Sequence, residues 1–402
     1  MFTSVYSGLS GMLSFSKGLD VLSDNIANLN TPGYKGNDLL FNDLIYQYRL
    51  AGSQGNYASQ QIGNGVQANQ TTTFFGQGDI QNTGNDTDVA LDGNGFFVLR
   101  DGQHTYYTRA GQFEVDDDGY LISKVANSYV MGLSNGSLSK INVKQYRIDP
   151  PSATSIIQFT NNLSIGSSSH VVNNINVFDS DGGQHQLRMT FTNNNAVTPR
   201  SWLIDVEDQF GNILLAGGEI RYQGNGSPEA GFNSVNFAFS PSGVASSNVT
   251  LDFGADGTFV GSTGFIEGTV STLSVDSADG HQLGSQTTLT FDEDGNISVN
   301  YSNGQSRQFD RLAIANFDSL QSLKRLSNSR FEAVNGQSPT LGYANLQGMG
   351  KLVAGGIESS NVELTQQFTD MIIIQRGYQA SSQILTTANE MIQQLLDMAK
   401  GR

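Results

Sequence analysis

Cysteine is absent from this 402-residue chain, so disulfides, iron–sulfur clusters and thiol chemistry are excluded. No segment approaches the ~20 consecutive apolar residues that a membrane span needs. The N-terminus lacks the basic region, the continuous apolar core and the small-residue cleavage site of a secretory signal peptide. If the protein leaves the cytoplasm, we therefore expect a route that keeps its N-terminus. Without disulfides, packing or assembly must stabilise it outside the cell.

Charged residues are also scarce, at 14% of the chain, and the net charge of −16 is distributed unevenly. Residues 1–36 are neutral overall and residues 361–402 carry a net charge of −1, so −15 lies between them. An acidic middle argues against nucleic acid or an anionic membrane as a partner. The nearly neutral ends can pack against many copies of themselves without much repulsion.

Glycine, by contrast, is abundant, with 46 residues, and predicts many short strands joined by tight turns. A hydrophobic fraction of 37% argues against disorder. Between residues 88 and 133, short apolar runs alternate with the turn sequences DGNG, RDGQ and DDDG, which is typical of hairpins. Composition shifts at Pro150-Pro151 and again near residues 275–284. We therefore interpret residues 145–284 as an insertion within another β domain.

Both ends of the chain have a helical pattern. In the first segment apolar residues recur every seven positions, at Val5, Met12, Leu19 and Ile26, with Leu9, Ser16 and Ser23 at the alternate a/d places. The following sequence SDNIANLNTPGYKG predicts the end of this helix at Pro32 and Gly33. Proline disfavours helical geometry in the residue before it, and glycine permits a turn.

The C-terminal segment predicts a longer helix of about 40 residues, or ~60 Å. Asn361 is the expected N-cap and Gly377 the expected point of any bend. One heptad line holds Leu364, Met371, Tyr378, Leu385, Ile392 and Ala399, and a second holds Ile374, Ser381, Ala388 and Leu395. Either stripe alone is equally typical of a core-facing helix in a compact domain. Two such helices at opposite ends favour pairing with each other.

The sequence therefore predicts a mainly β protein whose N- and C-terminal α-helices pair as a coiled-coil-like core domain, followed by two nested all-β domains. We expect three domains built from distant segments. A helical inner-core domain comprises residues 1–70 and 361–402, and a β-rich middle domain comprises residues 71–144 and 285–360. Residues 145–284 form the inserted β-rich outer domain.

Aspartate-rich turns are the first candidates for chemistry. Segments 116–119, 179–182 and 292–295 resemble the start of a calcium loop but lack its later ligands and flanking helices, so Asp-Gly hairpin turns explain them better. The four histidines are scattered, and Ser14-Phe15-Ser16-Lys17 matches S-x-x-K without companion motifs. We therefore expect no enzyme, no metal and no cofactor.

Trp202 and nearby aromatic residues leave a second hypothesis open, a secreted carbohydrate-binding or adhesive β protein. An aromatic ring can form a platform for a sugar, but within the run SWLIDVEDQF we expect Trp202 to belong to the core of a strand. Glycan binding by residues 145–284 would support this alternative.

The two ends resemble the bacterial flagellar rod and hook family. The segment SGLSGMLSFSKGLDVLSDNIANLNTPGYKG is similar to its N-terminal signature, and GGIESSNVELTQQFTDMIIIQRGYQASSQILTTANEMIQQLL to its C-terminal signature. VALDGNGFFVLRDG and YYTRAGQFEVDDDGYLI resemble the shared domain nearest the helices. NVFDSDGGQHQLRMTF resembles the inserted domain typical of hook proteins. A distal rod protein is the alternative within the family, but it should be shorter and lack most of the insertion.

The resemblance implies a structural subunit that polymerises with itself into the curved, flexible hook, a universal joint between motor and filament. It implies extracellular location at the hook of the flagellum after export by the flagellar type III apparatus without a cleaved signal peptide. The implied partners are the distal rod, hook–filament junction and hook cap proteins, with neither nucleic acid nor membrane among them.

We expect polymerisation to depend on the two terminal helices. The residues that we assign to it are Val5, Leu9, Met12, Leu19, Ile26, Asn28, Leu364, Phe368, Met371, Tyr378, Leu385 and Ile392. Asn28 is included because its amide can satisfy carbonyls freed at the helix end and contacts of adjacent copies.

Overall fold

The structure is a computed structural model that describes residues 2–44, 47–51, 58–134, 136–334 and 336–400. It confirms a mainly β chain with an α-helix at each end. Helix α1 spans Phe2–Ala27 and helix α2 spans Leu364–Lys400, and the two pack on each other. The chain divides into two compact units. Unit 1 comprises Met1–Lys144, Thr288–Val299 and Arg307–Arg402, and unit 2 comprises Gln145–Thr287 and Asn300–Ser306. The three-domain division made from the sequence stays a prediction.

The strands are short and follow one another closely along the chain. Up to the end of the first segment of unit 1 they are β1 (Asn37–Asp43), β2 (Gln47–Ala51), β3 (Ala58–Ile62), β4 (Val66–Thr73), β5 (Ile80–Asn82), β6 (Val89–Asp92), β7 (Phe96–Asp101), β8 (His104–Thr108), β9 (Phe113–Val115), β10 (Leu121–Ser123), β11 (Ser128–Ser134) and β12 (Ser137–Lys140). Then come β13 (Ile148–Asp149), β14 (Ile156–Asn162), β15 (Ser169–Phe178), β16 (Gln184–Asn193), β17 (Ser201–Asp208), β18 (Ile213–Arg221), β19 (Ser234–Phe239), β20 (Ser247–Asp252), β21 (Ser262–Thr263) and β22 (Ser274–Ala278).

The remaining strands are β23 (Gly284–Phe291), β24 (Asn296–Tyr301), β25 (Ser306–Arg311), β26 (Ile314–Asn316), β27 (Leu323–Arg325), β28 (Arg330–Ala333), β29 (Thr340–Gly342), β30 (Lys351–Ala354) and β31 (Gly356–Glu358). Short 3-10 turns occupy Lys144–Tyr146 and Leu320–Ser322.

Unit 1 is organised around a sheet with the order β27-β28-β8-β7-β11-β10-β9, to which β12, β26 and β29 add at the sides. The RDGQ and DDDG turns close the hairpins β7–β8 and β9–β10, as predicted, whereas the strands on either side of DGNG, β6 and β7, lie in different sheets. Its core is aromatic: Phe96 contacts Phe317 and Phe331 with ring centroids 6.0 and 5.6 Å apart. Strand β6 pairs with β30, and β5 pairs with β31, so the segment before α2 is bound to the segment that follows α1.

Unit 2 is a β-sandwich. One sheet has the order β15-β16-β17-β18 and the other β19-β20-β14-β21 with β22 beside β14, and both contribute to one hydrophobic core. Trp202 lies fully buried in this core, on the same face of strand β17 as the buried Ile204 and Val206. A sugar therefore has no access to it, and the glycan hypothesis loses the residue that prompted it.

The aspartate-rich turns close hairpins, as predicted. Strands β9 and β10 pair antiparallel around Asp116, and β15 and β16 around Asp179. In each turn the aspartate Oδ1 accepts backbone N–H bonds, from Tyr120 in the first and from Asp181 and Gly183 in the second. These carboxylates are therefore engaged in turn geometry.

Candidate assembly surface

Helices α1 and α2 run antiparallel and approach closely because small residues lie between them. A methyl group added at Gly11 would lie 2.8 Å from Ser381 Oγ, and one added at Gly18 would lie 2.8 Å from Ile374 Cδ1. On the opposite helix, a methyl group at Gly377 would lie 2.5 Å from the ring of Phe15. Glycine therefore serves close packing at these positions, and Gly377 accommodates an aromatic ring.

This packing shifts the contact line away from the predicted heptads. On α1 the buried positions are Gly8, Gly11, Ser14, Gly18, Leu22 and Asn25, so the line lies one residue before Met12, Leu19 and Ile26. On α2 the buried positions are Gln367, Ser381 and Ala388, which belong mainly to the second predicted line. The apolar periodicity therefore misplaced the line of contact between the helices. Much of that line consists of glycine and serine, which a hydrophobicity pattern does not detect.

The predicted assembly residues fall into two groups around this line. Val5, Met12, Leu19, Ile26, Asn28, Met371, Leu385 and Ile392 are partly buried, whereas Leu9, Leu364, Phe368 and Tyr378 are exposed. Their role in polymerisation stays a prediction. The side chain of Ala399, the last residue of the first predicted heptad line, lies outside the part of the chain that the structure describes.

After pairing, both helices keep an exposed apolar face. On α1 it consists of Tyr6, Leu9 and Leu13, of which Leu13 is 60% exposed. On α2 it consists of Ile373, Ile384, Met391, Leu395 and Met398, whose spacings of 11, 7, 4 and 3 residues place them on one helix face. Within the described part of the chain nothing covers these faces. Contiguous apolar surface of this kind marks a protein–protein contact.

Between the helices and the strands lies a junction of buried charges. Glu358 is fully buried; its Oε1 accepts from Lys35 Nζ at 2.5 Å and from the Gly78 N–H at 2.9 Å. Its Oε2 lies 3.3 Å from Arg109 Nη1, and Arg109 Nη2 donates to the Gly93 carbonyl at 2.8 Å. Burial lowers the pKa of the Lys35 ammonium, although attraction to Glu358 opposes that shift. The carboxylate thus compensates two buried cations.

Backbone geometry around the junction is equally restricted. Gly33 has φ +66, its N–H donates to the Glu358 carbonyl at 2.8 Å, and a methyl group there would lie 2.5 Å from the Ala110 backbone nitrogen. Asn361 Oδ1 accepts from the Gly36 N–H at 2.8 Å, and its Nδ2 donates to carbonyls of residues 74 and 76. The prediction that Asn361 is the N-cap of α2 was therefore wrong. Its side-chain amide is hydrogen-bonded to residues 36, 74 and 76, and the helix begins only at Leu364.

Asparagines also fix the end of α1, which the sequence placed too late. The helix ends at Ala27, five residues before Pro32. Asn28 Nδ2 donates to the Asp24 carbonyl at 2.8 Å, so its amide caps its own helix. Asn25 is buried, and its Nδ2 donates to Gln367 Oε1 of α2 at 3.0 Å.

Sequence reasoning missed Lys35, Arg109 and Glu358 as a group. Lys35 and Glu358 lie inside the quoted GYKG and GGIESSN segments, but 323 residues separate them. No local periodicity connects such positions. The signal that was available is their charge within segments that are otherwise small and polar.

Among the described residues no group of acidic, histidine or cysteine side chains is arranged to hold a metal ion, and no helix is both long and apolar enough to cross a membrane.

Protein-family models match along the chain. The flagella basal body rod protein model matches residues 5–35, and the flagellar hook protein FlgE/F/G D1 domain model matches residues 90–171. The flagellar basal body protein FlaE D2 domain model matches residues 151–311, and the model of the flagellar basal body rod FlgEFG protein C-terminal matches residues 353–398. The D2 match covers the insertion that a distal rod protein should lack, so that alternative is not favoured.

Whole proteins match over their full length. The flagellar hook protein FlgE of Treponema pallidum (strain Nichols) is 31% identical over 100% of both chains. That of Borreliella burgdorferi is 28% identical over 98% of this chain and 99% of the relative. The crystal structure of Helicobacter pylori flagellar hook protein FlgE2 aligns with a TM-score of 0.46 and 12% identity, over 68% of this chain and 98% of the other. The full-length identity, together with the domain matches, shows that this chain belongs to the flagellar hook protein FlgE family, a structural and not an enzymatic family.

Proposed function

We propose that this chain is a structural subunit of the bacterial flagellar hook that polymerises through its terminal helices. The observation that carries the proposal is the exposed apolar face that α1 and α2 retain after they have paired, at Leu9, Leu13, Ile384 and Leu395 among others. In a monomer such a surface promotes aggregation, and in a polymer it is covered by neighbouring copies.

The assembly that suits these faces is a helical tube. The exposed faces of α1 and α2 can bind different neighbours, and a heterologous contact of this kind with a non-closing rotation generates a helix. The nearly neutral ends of the chain then form the tube wall, while the acidic middle stays outside. Such a tube, curved and flexible, acts as a universal joint that transmits torque from the rod to the filament.

The finer features follow as part of the same proposal. The domains are nested in the order predicted from the sequence, with residues 145–284 outermost. The protein lies outside the cell in the hook, after type III export without a cleaved signal peptide. Its partners are further copies of itself, with the distal rod, the hook–filament junction and the hook cap at the ends of the polymer.

Electron microscopy of the purified chain under polymerising conditions tests the proposal. We expect tubes from the unmodified chain and none from a variant with Leu9→Gln and Leu13→Gln, because both side chains are exposed and glutamine favours a helix almost as well as leucine. The matched control is Gln383→Ala, an exposed change on the polar side of α2, which should still form tubes.

Circular dichroism of the monomers separates assembly from folding. Both variants should keep the helix content and unfolding midpoint of the unmodified monomer. Tubes formed normally by the double leucine variant would show that these faces do not carry polymerisation.

A further inference from the structure

A groove of ≈ 440 Å³ lies in unit 1 between β1, α1 and α2. Buried Gly18 and Leu22 of α1 line it, and so do the exposed apolar side chains Leu40 and Phe41 of β1 and Ile373 of α2. Leu40 is 42% exposed and Ile373 is 60% exposed, although both border a concave site. The groove thus offers apolar contacts that the described part of the chain leaves uncovered.

One end of the groove is acidic. A second cavity of ≈ 280 Å³ shares the residues Asp38 and Asp370 with the groove and is also lined by Glu363. No basic side chain is among the residues lining either cavity in the described chain. An occupant that complements this site has an apolar face and a positive charge beyond it.

The C-terminal end of α2 has this composition. Gly8 of α1 faces Ser381 and Ile384, and α1 begins only six residues earlier, so the antiparallel pairing ends near residue 390. Residues 391–400 therefore extend beyond α1 by ~15 Å of helix. This overhang exposes Met391, Leu395 and Met398; it carries Asp397 as well as Lys400, and Lys400 lies in its last turn, beyond the apolar side chains.

The spacing of these side chains fits a groove. Met391, Leu395 and Met398 stand at positions i, i+4 and i+7, the anchors with which an amphipathic helix binds an apolar groove. The overhang cannot reach the groove of its own chain, because Ile373 and Leu395 lie on one continuous helix, ~33 Å apart. The occupant must come from another molecule.

We infer that the C-terminal overhang of one copy, residues 391–400, binds the groove between β1, α1 and α2 of a second copy. The apolar anchors lie against Leu40, Phe41 and Ile373, and Lys400 lies toward Asp38 and Asp370. Groove and overhang are different surfaces of the chain, so each copy can bind one neighbour with its overhang and another with its groove, and with a non-closing rotation the contact repeats from copy to copy. This inference rests on the proposed function and names the two surfaces that meet in the polymer.

Disulfide trapping tests the contact directly, since the chain has no cysteine of its own. Polymers of a Leu40→Cys, Leu395→Cys double variant are assembled under reducing conditions, oxidised and separated on a non-reducing denaturing gel. We expect a ladder of covalent multimers. Copolymers that mix the two single variants with an excess of unmodified chain should give dimers, and either single variant alone should give none.

A second measurement uses the critical concentration for assembly. Leu395→Gln should raise it at least tenfold, whereas the matched control Gln394→Ala, on the polar side of the overhang, should leave it within twofold. Both residues are exposed in the monomer, so neither change should alter the monomer's circular dichroism.

The outcomes separate the inference from the proposed function. Tubes without a ladder, or an unchanged critical concentration for Leu395→Gln, overturn the inference and leave the hook function standing. Dimers without higher multimers from the Leu40→Cys, Leu395→Cys double variant would indicate a closed two-fold contact and also overturn it. Absence of tubes from the unmodified chain would remove the proposed function and the inference together.

Discussion

Replacing Glu358 with glutamine tests whether the buried junction holds the terminal helices in place. Glutamine preserves the size of the side chain but removes its charge. In the native junction one carboxylate compensates Lys35 and Arg109, and its side chain is 0% exposed. Glu358→Gln therefore leaves two buried cations without a counter-charge, and water cannot replace it.

The expected loss of stability is large. Removing one partner of a buried ion pair costs ~3–5 kcal/mol, because the remaining charge stays desolvated. At about 1.4 kcal/mol per factor of ten, this loss raises the unfolded fraction of unit 1 at least a hundredfold. Unit 2 serves as an internal control for the stability of unit 1. Trp202, the single tryptophan, lies in unit 2, while α1 and α2 lie in unit 1.

Urea unfolding followed by two signals measures the effect. Far-ultraviolet circular dichroism follows the helices, and tryptophan fluorescence follows unit 2. We expect Glu358→Gln to lower the helical transition by ~3–5 kcal/mol and to leave the fluorescence transition nearly unchanged. Asp92→Asn, the same chemical change at an exposed carboxylate in unit 1, should stay within about 0.5 kcal/mol. A loss below ~1 kcal/mol for Glu358→Gln, or an equal shift of both signals, would refute the reasoning.

Three further predictions concern the helix pair, the turn after α1 and unit 2. Gly377→Ala forces a methyl group to 2.5 Å from the Phe15 ring, so overpacking of ~1–3 kcal/mol should exceed the helix-propensity gain of about 1 kcal/mol; helical unfolding in urea checks this. Gly33→Ala combines positive φ with a contact to the Ala110 backbone and should cost at least ~2 kcal/mol in the same assay. Burial alone would raise the pKa of Asp179, but hydrogen bonds from His185 and the turn outweigh burial and lower the pKa. The pKa of Asp179 is thus lower in the folded than in the unfolded chain. The stability that this carboxylate contributes is therefore complete above the unfolded pKa and is lost as the pH falls through the folded pKa. The fluorescence-detected stability of unit 2 should therefore decrease as the pH falls below the ordinary aspartate range, and a pH-independent stability would contradict the assignment.

The sequence predicted the architecture well because its strongest signals are local. Hairpin turns such as the one at Asp116 need only neighbouring residues, and a helix at each end follows from periodicity over several turns. Trp202 was also placed correctly in a strand core. Each of these features is determined by residues within about ten positions of one another, so the local sequence pattern predicts it directly.

The helix contact line was displaced because packing and hydrophobicity diverge there. Hydrophobic periodicity identified Met12 and Leu19, but the closest approach occurs at Gly11 and Gly18, where the absence of a side chain brings the helices together. A glycine contributes to such a line through distance, which no hydrophobicity pattern records. The partly buried Met12 and Leu19 then lie beside the line at the next helical position.

The end of α1 was displaced for a different reason. Pro32 disfavours helical geometry at Thr31, but the chain leaves the helix earlier, at Ala27, where Asn28 Nδ2 donates to the Asp24 carbonyl. Asparagine competes for backbone hydrogen bonds and so stops a helix before proline would require it. The consequence for function is direct, because an amide that caps its own helix is less available to a neighbouring copy.

Polar and apolar residues of the terminal segments therefore have separate tasks. Asn25, Lys35 and Glu358 are buried and hydrogen-bonded within one subunit, so their loss should weaken folding and polymerisation together. Leu13 and Leu395 are exposed in that subunit, so their loss should weaken polymerisation alone. Asn28→Ala distinguishes the two tasks at the boundary: its hydrogen bond to Asp24 predicts a parallel decrease of both, by ~1 kcal/mol in monomer stability. A variant that folded normally and failed only to polymerise would instead place Asn28 at the contact between copies.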